Sequence, residues 1–169
     1  MLKRSTLLTL TLLFASAGAH ADARSAPAQA VEDMFLALSR IGEAEQGEGN
    51  RFADLVTADF TVFEVGTVYD VEAFEALLDS AASSFETLSW SLSEFNVTES
   101  ATLAHVAYRN DGRFVDPGGN VLVSYWLESA LLVMVDGTWR VKFLQSDLVR
   151  RELRRTDGSV DYVYPIVSE

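Results

Sequence analysis

The sequence contains no cysteine, only three prolines and only two histidines among 169 residues. Without thiols there can be no disulfide framework, no cysteine metal centre, no thiol nucleophile and no lipid anchor on an N-terminal Cys. His20 lies within an apolar leader, so His105 is the one imidazole left to the remaining chain. A multi-histidine metal site is thereby excluded, no metal is expected, and a Ser-His-Asp triad would have to use His105 as its base. Lysine is confined to Lys3 and Lys142, and 13 basic residues face 25 acidic ones for a net charge of −12. A surface of that sign repels phosphate backbones and anionic headgroups, so neither nucleic acid nor a charged lipid surface is an expected partner. There is no Gly-rich phosphate loop of the usual spacing, and no cofactor is expected.

Long apolar runs are scarce as well. The prominent one, Leu7 to Ala17, follows Lys3 and Arg4 and precedes Ala19-His20-Ala21. A bilayer core needs about 20 apolar residues, so this run is too short to span one. A charged start, a short apolar stretch and a small-x-small site describe a secretory signal peptide, residues 1–21, cut after Ala21. The expected location is periplasmic or secreted. Residues 22–29 read as a flexible segment, 30–149 as a single domain, and 150–169 as a basic C-terminal extension with room for one more strand at Tyr162 to Ile166. Charge is unevenly spread. Fifteen acids lie between Glu32 and Glu99, whereas Arg150, Arg151, Arg154 and Arg155 crowd the other end. Those arginines are expected either to be solvated or to dock on an acidic face of the same or a second subunit.

Val31, Met34, Phe35, Leu38 and Ile41 recur at helical spacing and form one apolar stripe. Phe52, Leu55 and Val56 suggest a short second helix, and Phe60 to Val65 a short strand. Asp70 is placed to cap a third helix carrying Val71, Phe74, Leu77, Leu78 and Ala81 on one side. After Glu86 the chain becomes β-branched and aromatic, with strands expected at 88–97, 102–114, 121–135 and 139–149. Turn signals separate them at Glu99-Ser100, Asp116-Pro117-Gly118-Gly119 and Asp136-Gly137. Helices followed by a meander of long antiparallel strands make an α+β fold.

Asp136-Gly137 suits a two-residue type I′ turn, which sets Met134 opposite Trp139 and Leu132 opposite Val141. An unbroken ladder would continue with Ala130 opposite Phe143, Glu128 opposite Gln145 and Trp126 opposite Asp147. That face is apolar near the turn and polar at its far end, as expected for a partly closed cavity with a few convergent polar groups. The candidate lining residues are Trp126, Glu128, Trp139, Phe143 and Gln145. The preceding strand has two registers. A four-residue loop sets His105 opposite Ala130 and diagonal to Glu128; a slip by one residue brings Val106 and Tyr108 to that face instead.

Taken together, the amphipathic helix Val31 to Ile41, the string Leu55-Val56-Thr57-Ala58-Asp59-Phe60-Thr61-Val62-Phe63-Glu64-Val65-Gly66 and the hairpin Val135 to Ser146 resemble the nuclear transport factor 2-like superfamily, in particular its SnoaL-like and ketosteroid-isomerase-like branches. The resemblance spans about residues 28 to 149. It implies a cone: a curved antiparallel sheet wrapped by N-terminal helices (a cystatin-like α+β roll), hollow inside, and often a homodimer through the convex sheet face. Leu127, Leu131 and Val133 beside Arg140 and Lys142 would suit such a face. The resemblance also places Glu64 near the position of a catalytic Asp, while Gln145 stands where many relatives carry His. Two functions follow as expectations. One is an exported domain that binds a small apolar ligand without a complete catalytic set. The other is a cofactor-independent isomerase or dehydratase with Glu64 as general base and His105, Tyr108 or Glu128 polarising the substrate.

Overall fold

The computed structural model describes residues 24–41 and 52–164. The leader read at residues 1–21 lies outside them. The described elements run α1 (Ala26–Leu38), α2 (Phe52–Leu55), β1 (Val56–Glu64), β2 (Thr67–Tyr69), α3 (Val71–Ala82), β3 (Thr87–Glu99), β4 (Leu103–Val115), β5 (Val121–Val135), β6 (Thr138–Arg154) and β7 (Val160–Tyr164).

Helix α1 begins inside the stretch expected to be flexible. Proline in its first turn presets the helical φ, and Pro27 and Ala28 extend the buried stripe of Val31, Met34, Phe35 and Leu38 backward by one turn. Ile41 lies beyond the helix, partly buried against the same core. Helix α3 starts where the sequence indicates: the Asp70 carboxylate accepts from Ala73 N at 2.9 Å, and Glu72 sits in the first turn. Phe74 and Leu78 are its buried residues. Strand β2, not anticipated from the sequence, closes a small hairpin with β1 through Val65 and Gly66, both at positive φ.

Seven strands form one curved, unclosed sheet in the order β2-β1-β6-β5-β4-β3, with β7 hydrogen-bonded to the far end of β6. All neighbours are antiparallel except β1 and β6, which run parallel. The helices pack on the concave side, where Met34, Leu38, Phe60, Val106, Leu132 and Leu144 are almost fully buried. Burial of these side chains, each contributing about 1.5–3 kcal/mol of transfer free energy, holds the layers together.

Bulges in β3 and β6 curve the sheet and reset the register of its antiparallel core. Asp136 and Gly137 have φ of 49° and 79°, the type I′ turn expected, and Met134 faces Trp139 and Leu132 faces Val141 as that turn dictates. Beyond Val141 the expected ladder fails. Lys142 is an extra residue, so Leu131 faces Phe143, Ala130 faces Leu144 and Glu128 faces Ser146. The Lys142 ammonium pairs with Asp59 on β1, outside the core. A second extra residue, Val149, separates the pair Trp126–Leu148 from Tyr125–Arg150. Another bulge lies at Glu94 and Phe95 in β3, where Glu94 adopts a φ of 54°.

The basic stretch is sheet rather than tail. Strand β6 continues to Arg154, well past the boundary expected at 149. Its arginines find partners within the same chain. Arg150 and Arg154 flank the buried Glu152 carboxylate, and Arg155 pairs with Asp161 at 2.7 Å. Arg151 turns inward.

Candidate functional site

The concave face of the sheet carries a polar row across four strands. Glu64 on β1 pairs with Ser146 on β6, Ser146 with Glu128 on β5, and Glu128 with Tyr108 on β4. Neighbouring strands place such side chains within contact range. The next inner row is Leu148, Trp126, Asn110 and Leu92, and the one beyond it is Arg151, Ser124, Gly112 and Trp90.

From these rows Glu64, Glu128, Trp126, Asn110, Arg151 and Trp90 line a cavity of about 260 Å³. Its polar end is made by Glu64, Glu128, Asn110 and Arg151 together with the indole N–H of Trp126. The rest of the wall is apolar: Phe35 and Leu38 from α1, Phe74, Leu77, Leu78 and Ala81 from α3, then Phe85, Leu88, Trp90, Phe114, Leu122 and Leu144.

Gly112 shapes the floor. A Cβ there would lie 2.6 Å from the Trp126 ring and 2.8 Å from Phe114. Its absence lets the indole lie across β4, from where Nε1 donates to Glu64 Oε1 at 3.2 Å.

Glu128 is 7% exposed and holds two hydrogen bonds, from Ser146 Oγ at 2.8 Å and Asn110 Nδ2 at 3.1 Å. Burial pushes its carboxyl up to about 7; the nearby Glu64 charge adds to this, while the bonds from Ser146 and Asn110 and the adjacent Tyr108 hydroxyl oppose it. Glu64 is also raised by burial, with Ser146, Trp126 and the Arg151 charge pulling the other way. Ser146 stands between the two carboxylates with one hydroxyl proton for both, and the 2.8 Å bond is to Glu128. Arg151 donates from Nε to Ser124 Oγ at 2.8 Å and faces Glu64. The Tyr108 hydroxyl is buried against Glu128 without hydrogen-bond geometry to it, and burial and the Glu128 charge drive its pKa well above the usual tyrosine value.

The structure brings Glu64, Trp126 and Glu128 to one cavity and disperses the other sequence candidates. Tyr108 is 3% exposed and packs under Phe35 and Phe95, behind the cavity floor. Trp139 packs against the main core near the Asp136-Gly137 turn and does not line the cavity. Phe143 and Gln145 lie on the opposite face because the Lys142 bulge shifts them by one position; Phe143 stacks edge-on against the exposed Phe63, 5.0 Å between ring centroids, and Gln145 is exposed. His105 faces outward and is exposed, because the loop after β4 has five residues rather than four and Val115 pairs with Val121. In that loop Asp116 accepts from Asn120 N and Nδ2, each at 2.9 Å, and Gly119 has a φ of 80°. His105 therefore reaches neither carboxylate.

Sequence reasoning missed Asn110 and Arg151. The register that reveals Asn110 was written in β4 itself. Its even positions, Ala104, Val106, Tyr108, Asn110, Gly112 and Phe114, carry no charge, whereas the odd ones include His105, Arg109, Asp111 and Arg113. Arg151 had no comparable signal, since its inward turn depends on two upstream bulges. Among the described residues no cluster of acidic or histidine side chains could hold a metal. No described helix is long and apolar enough to cross a membrane.

No family model and no curated protein matches the sequence. Solved structures do. A scytalone dehydratase-like protein from Novosphingobium aromaticivorans aligns with a TM-score of 0.59 at 19% identity, over 85% of this chain and 93% of that one. The LinA-type3 hexachlorocyclohexane dehydrochlorinase of Novosphingobium barchaimii aligns at 0.61 and 12% identity, over 83% and 90%. A ketosteroid isomerase-like protein from Shewanella frigidimarina aligns at 0.55 and 20% identity, over 73% and 95%. Identities this low establish the fold and nothing finer: the chain is a curved α+β roll, and an uncharacterised Caulobacter vibrioides protein described as having a cystatin-like fold aligns with it at a TM-score of 0.57 and 15% identity, over 73% of this chain and 87% of that one.

Proposed function

We propose that the protein is an exported domain that binds a small, largely apolar molecule in the cavity between α1, α3 and the sheet. The observation that carries this is a hollow of about 260 Å³ walled by aromatic and aliphatic side chains and polar at one end only. Small-molecule sites have this form, and a dry cavity of about 150 Å³ already accepts benzene. A ligand of one or two fused rings fits that scale. Thermal-shift and calorimetric titration with indane and indole derivatives test the reading. Ligands are expected to raise Tm in the parent protein and not in Ala81→Phe, where the added ring occupies the space. Equal stabilisation of both proteins places binding elsewhere and refutes the assignment. Export is tested by the mass of the mature protein, which should begin at Asp22.

A second reading rests on the two carboxylates. Glu64 and Glu128 share one cavity but differ in solvation and hydrogen bonding, the arrangement by which one carboxyl remains an acid while another serves as base. In this reading Glu64 takes a proton from carbon next to a carbonyl, and neutral Glu128 donates to the oxygen. Deuterium exchange into a bound indanone, followed by NMR, checks it. Exchange should be lost in Glu64→Gln; exchange that persists undiminished removes Glu64 as the base.

A further inference from the structure

Resting on the cavity reading above, we infer that the ligand is a lipophilic amine bound as its ammonium ion, with Glu128 as counter-ion and Asn110 Oδ1 as an additional acceptor.

The polar end of the cavity has acceptor capacity to spare. Glu128 receives only the Ser146 hydroxyl and the Asn110 amide, and a carboxylate has further lone pairs to offer. Asn110 is 1% exposed, lines the cavity and leaves Oδ1 without any partner. A buried acceptor left in that state is destabilising, and a donor on a ligand would relieve it. Two of the nearby donors point elsewhere. Trp126 Nε1 is given to Glu64 and Arg151 Nε to Ser124.

Charge gives the same answer. Arg151 is the one cation lining the cavity among the described residues, and it faces Glu64. Glu128 has no ion-pair partner among those residues, so the missing charge is positive. An anionic ligand would meet two carboxylates; a cationic one meets an unpaired carboxylate beneath the rings of Phe35, Phe74, Phe85, Trp90, Phe114 and Trp126. Aromatic faces attract cations, and a chain of net charge −12 draws them from solution.

The groups that face Glu128 are Tyr108 and Asn110 from β4, Ser146 from β6 and Glu64 from β1, with Arg151 beyond Glu64. Helices α1 and α3 present Phe35, Leu38, Phe74 and Leu78 to the cavity, none of which titrates. A proton and an ammonium ion therefore compete for the same carboxylate. With Glu128 titrating at about 7, amine affinity should weaken about tenfold between pH 8 and pH 6.

The test is calorimetry on the purified protein with 1-aminoindane, 1-indanol and indane-1-carboxylate at pH 8 and pH 6. The amine is expected to bind at least tenfold more tightly than the alcohol at pH 8, with that advantage largely gone at pH 6. Glu128→Gln should bring the amine to the level of the alcohol and abolish the difference between pH 8 and pH 6. Equal binding of amine and alcohol by the parent overturns the amine inference while the cavity reading stands. Tightest binding of the carboxylate overturns it in favour of Arg151 as the anchor. No binding of any of the three overturns both.

Discussion

Glu128 is where pH acts most directly on this molecule. Its folded-state pKa is raised from 4.5 to about 7, so between those values the folded chain holds a proton that the unfolded chain has lost. Stability from this group is therefore complete below about pH 4.5 and disappears as pH rises through 7, a difference of about 3 kcal/mol by linkage. Glu128→Gln removes the ionisation and keeps the shape. The Gln carbonyl can accept from Ser146, and its amide can donate to Asn110 Oδ1 once the Asn110 amide turns over. Thermal melts should show Tm raised by ~5 °C at pH 8 and little changed at pH 5. A variant less stable than the parent at pH 8 would show that the charged form is well solvated. Both carboxylates were candidates in the sequence, Glu64 through the resemblance and Glu128 through its place at the polar end of an otherwise apolar strand face, although the neighbours expected for it there, Gln145 and Asp147, are replaced by Ser146 and Leu148. Asn110 was hidden only by a loop length misread by one residue. Arg151 was hidden by geometry that no local string encodes.

At the level of elements, the helices and the Asp136-Gly137 turn could be read directly because each is a local signal: an apolar stripe, a carboxylate cap, a dipeptide that tolerates positive φ. Bulges leave no such mark. Lys142 and Val149 each insert one residue into β6, and each insertion reverses the face of everything downstream. This is why Phe143 and Gln145 point out while Leu144, Ser146 and Leu148 point in. Parallel pairing of β1 with β6 joins segments about eighty residues apart and was likewise beyond a local reading. The sensitive point of the sheet is Gly112, the small residue over which the Trp126 ring lies. Gly112→Ala should destabilise by about 1–3 kcal/mol, the usual cost of overpacking. It should also push the indole away from Glu64. Denaturant unfolding reads the first effect, and a shift in tryptophan emission reads the second. A variant of parental stability and emission would show that the ring has room to retreat.

On the scale of the whole molecule, the two faces of the sheet divide the labour. The concave face holds the core and the cavity. The convex face exposes an apolar band in which Leu131 pairs with Phe143 and Phe143 packs edge-on against Phe63, itself 42% exposed, with Leu103 47% exposed beyond it. Apolar surface continuous across several strands is the usual mark of a contact surface, and a stable interface buries about 800 Å² per partner. Because the band lies on a sheet face, a second copy related by a two-fold axis can meet it with the same residues. Sedimentation velocity is expected to give a dimer at about 50 μM. Leu131→Lys should give a monomer, since a charge in the middle of the band must be desolvated to associate. Its side chain points away from the cavity, so ligand affinity in that variant should stay within about twofold of the parent. A parent chain that remains monomeric at tenfold higher concentration would leave the convex face without this role, and a Leu131→Lys monomer that loses its ligand would show that the cavity depends on the second copy to hold its shape.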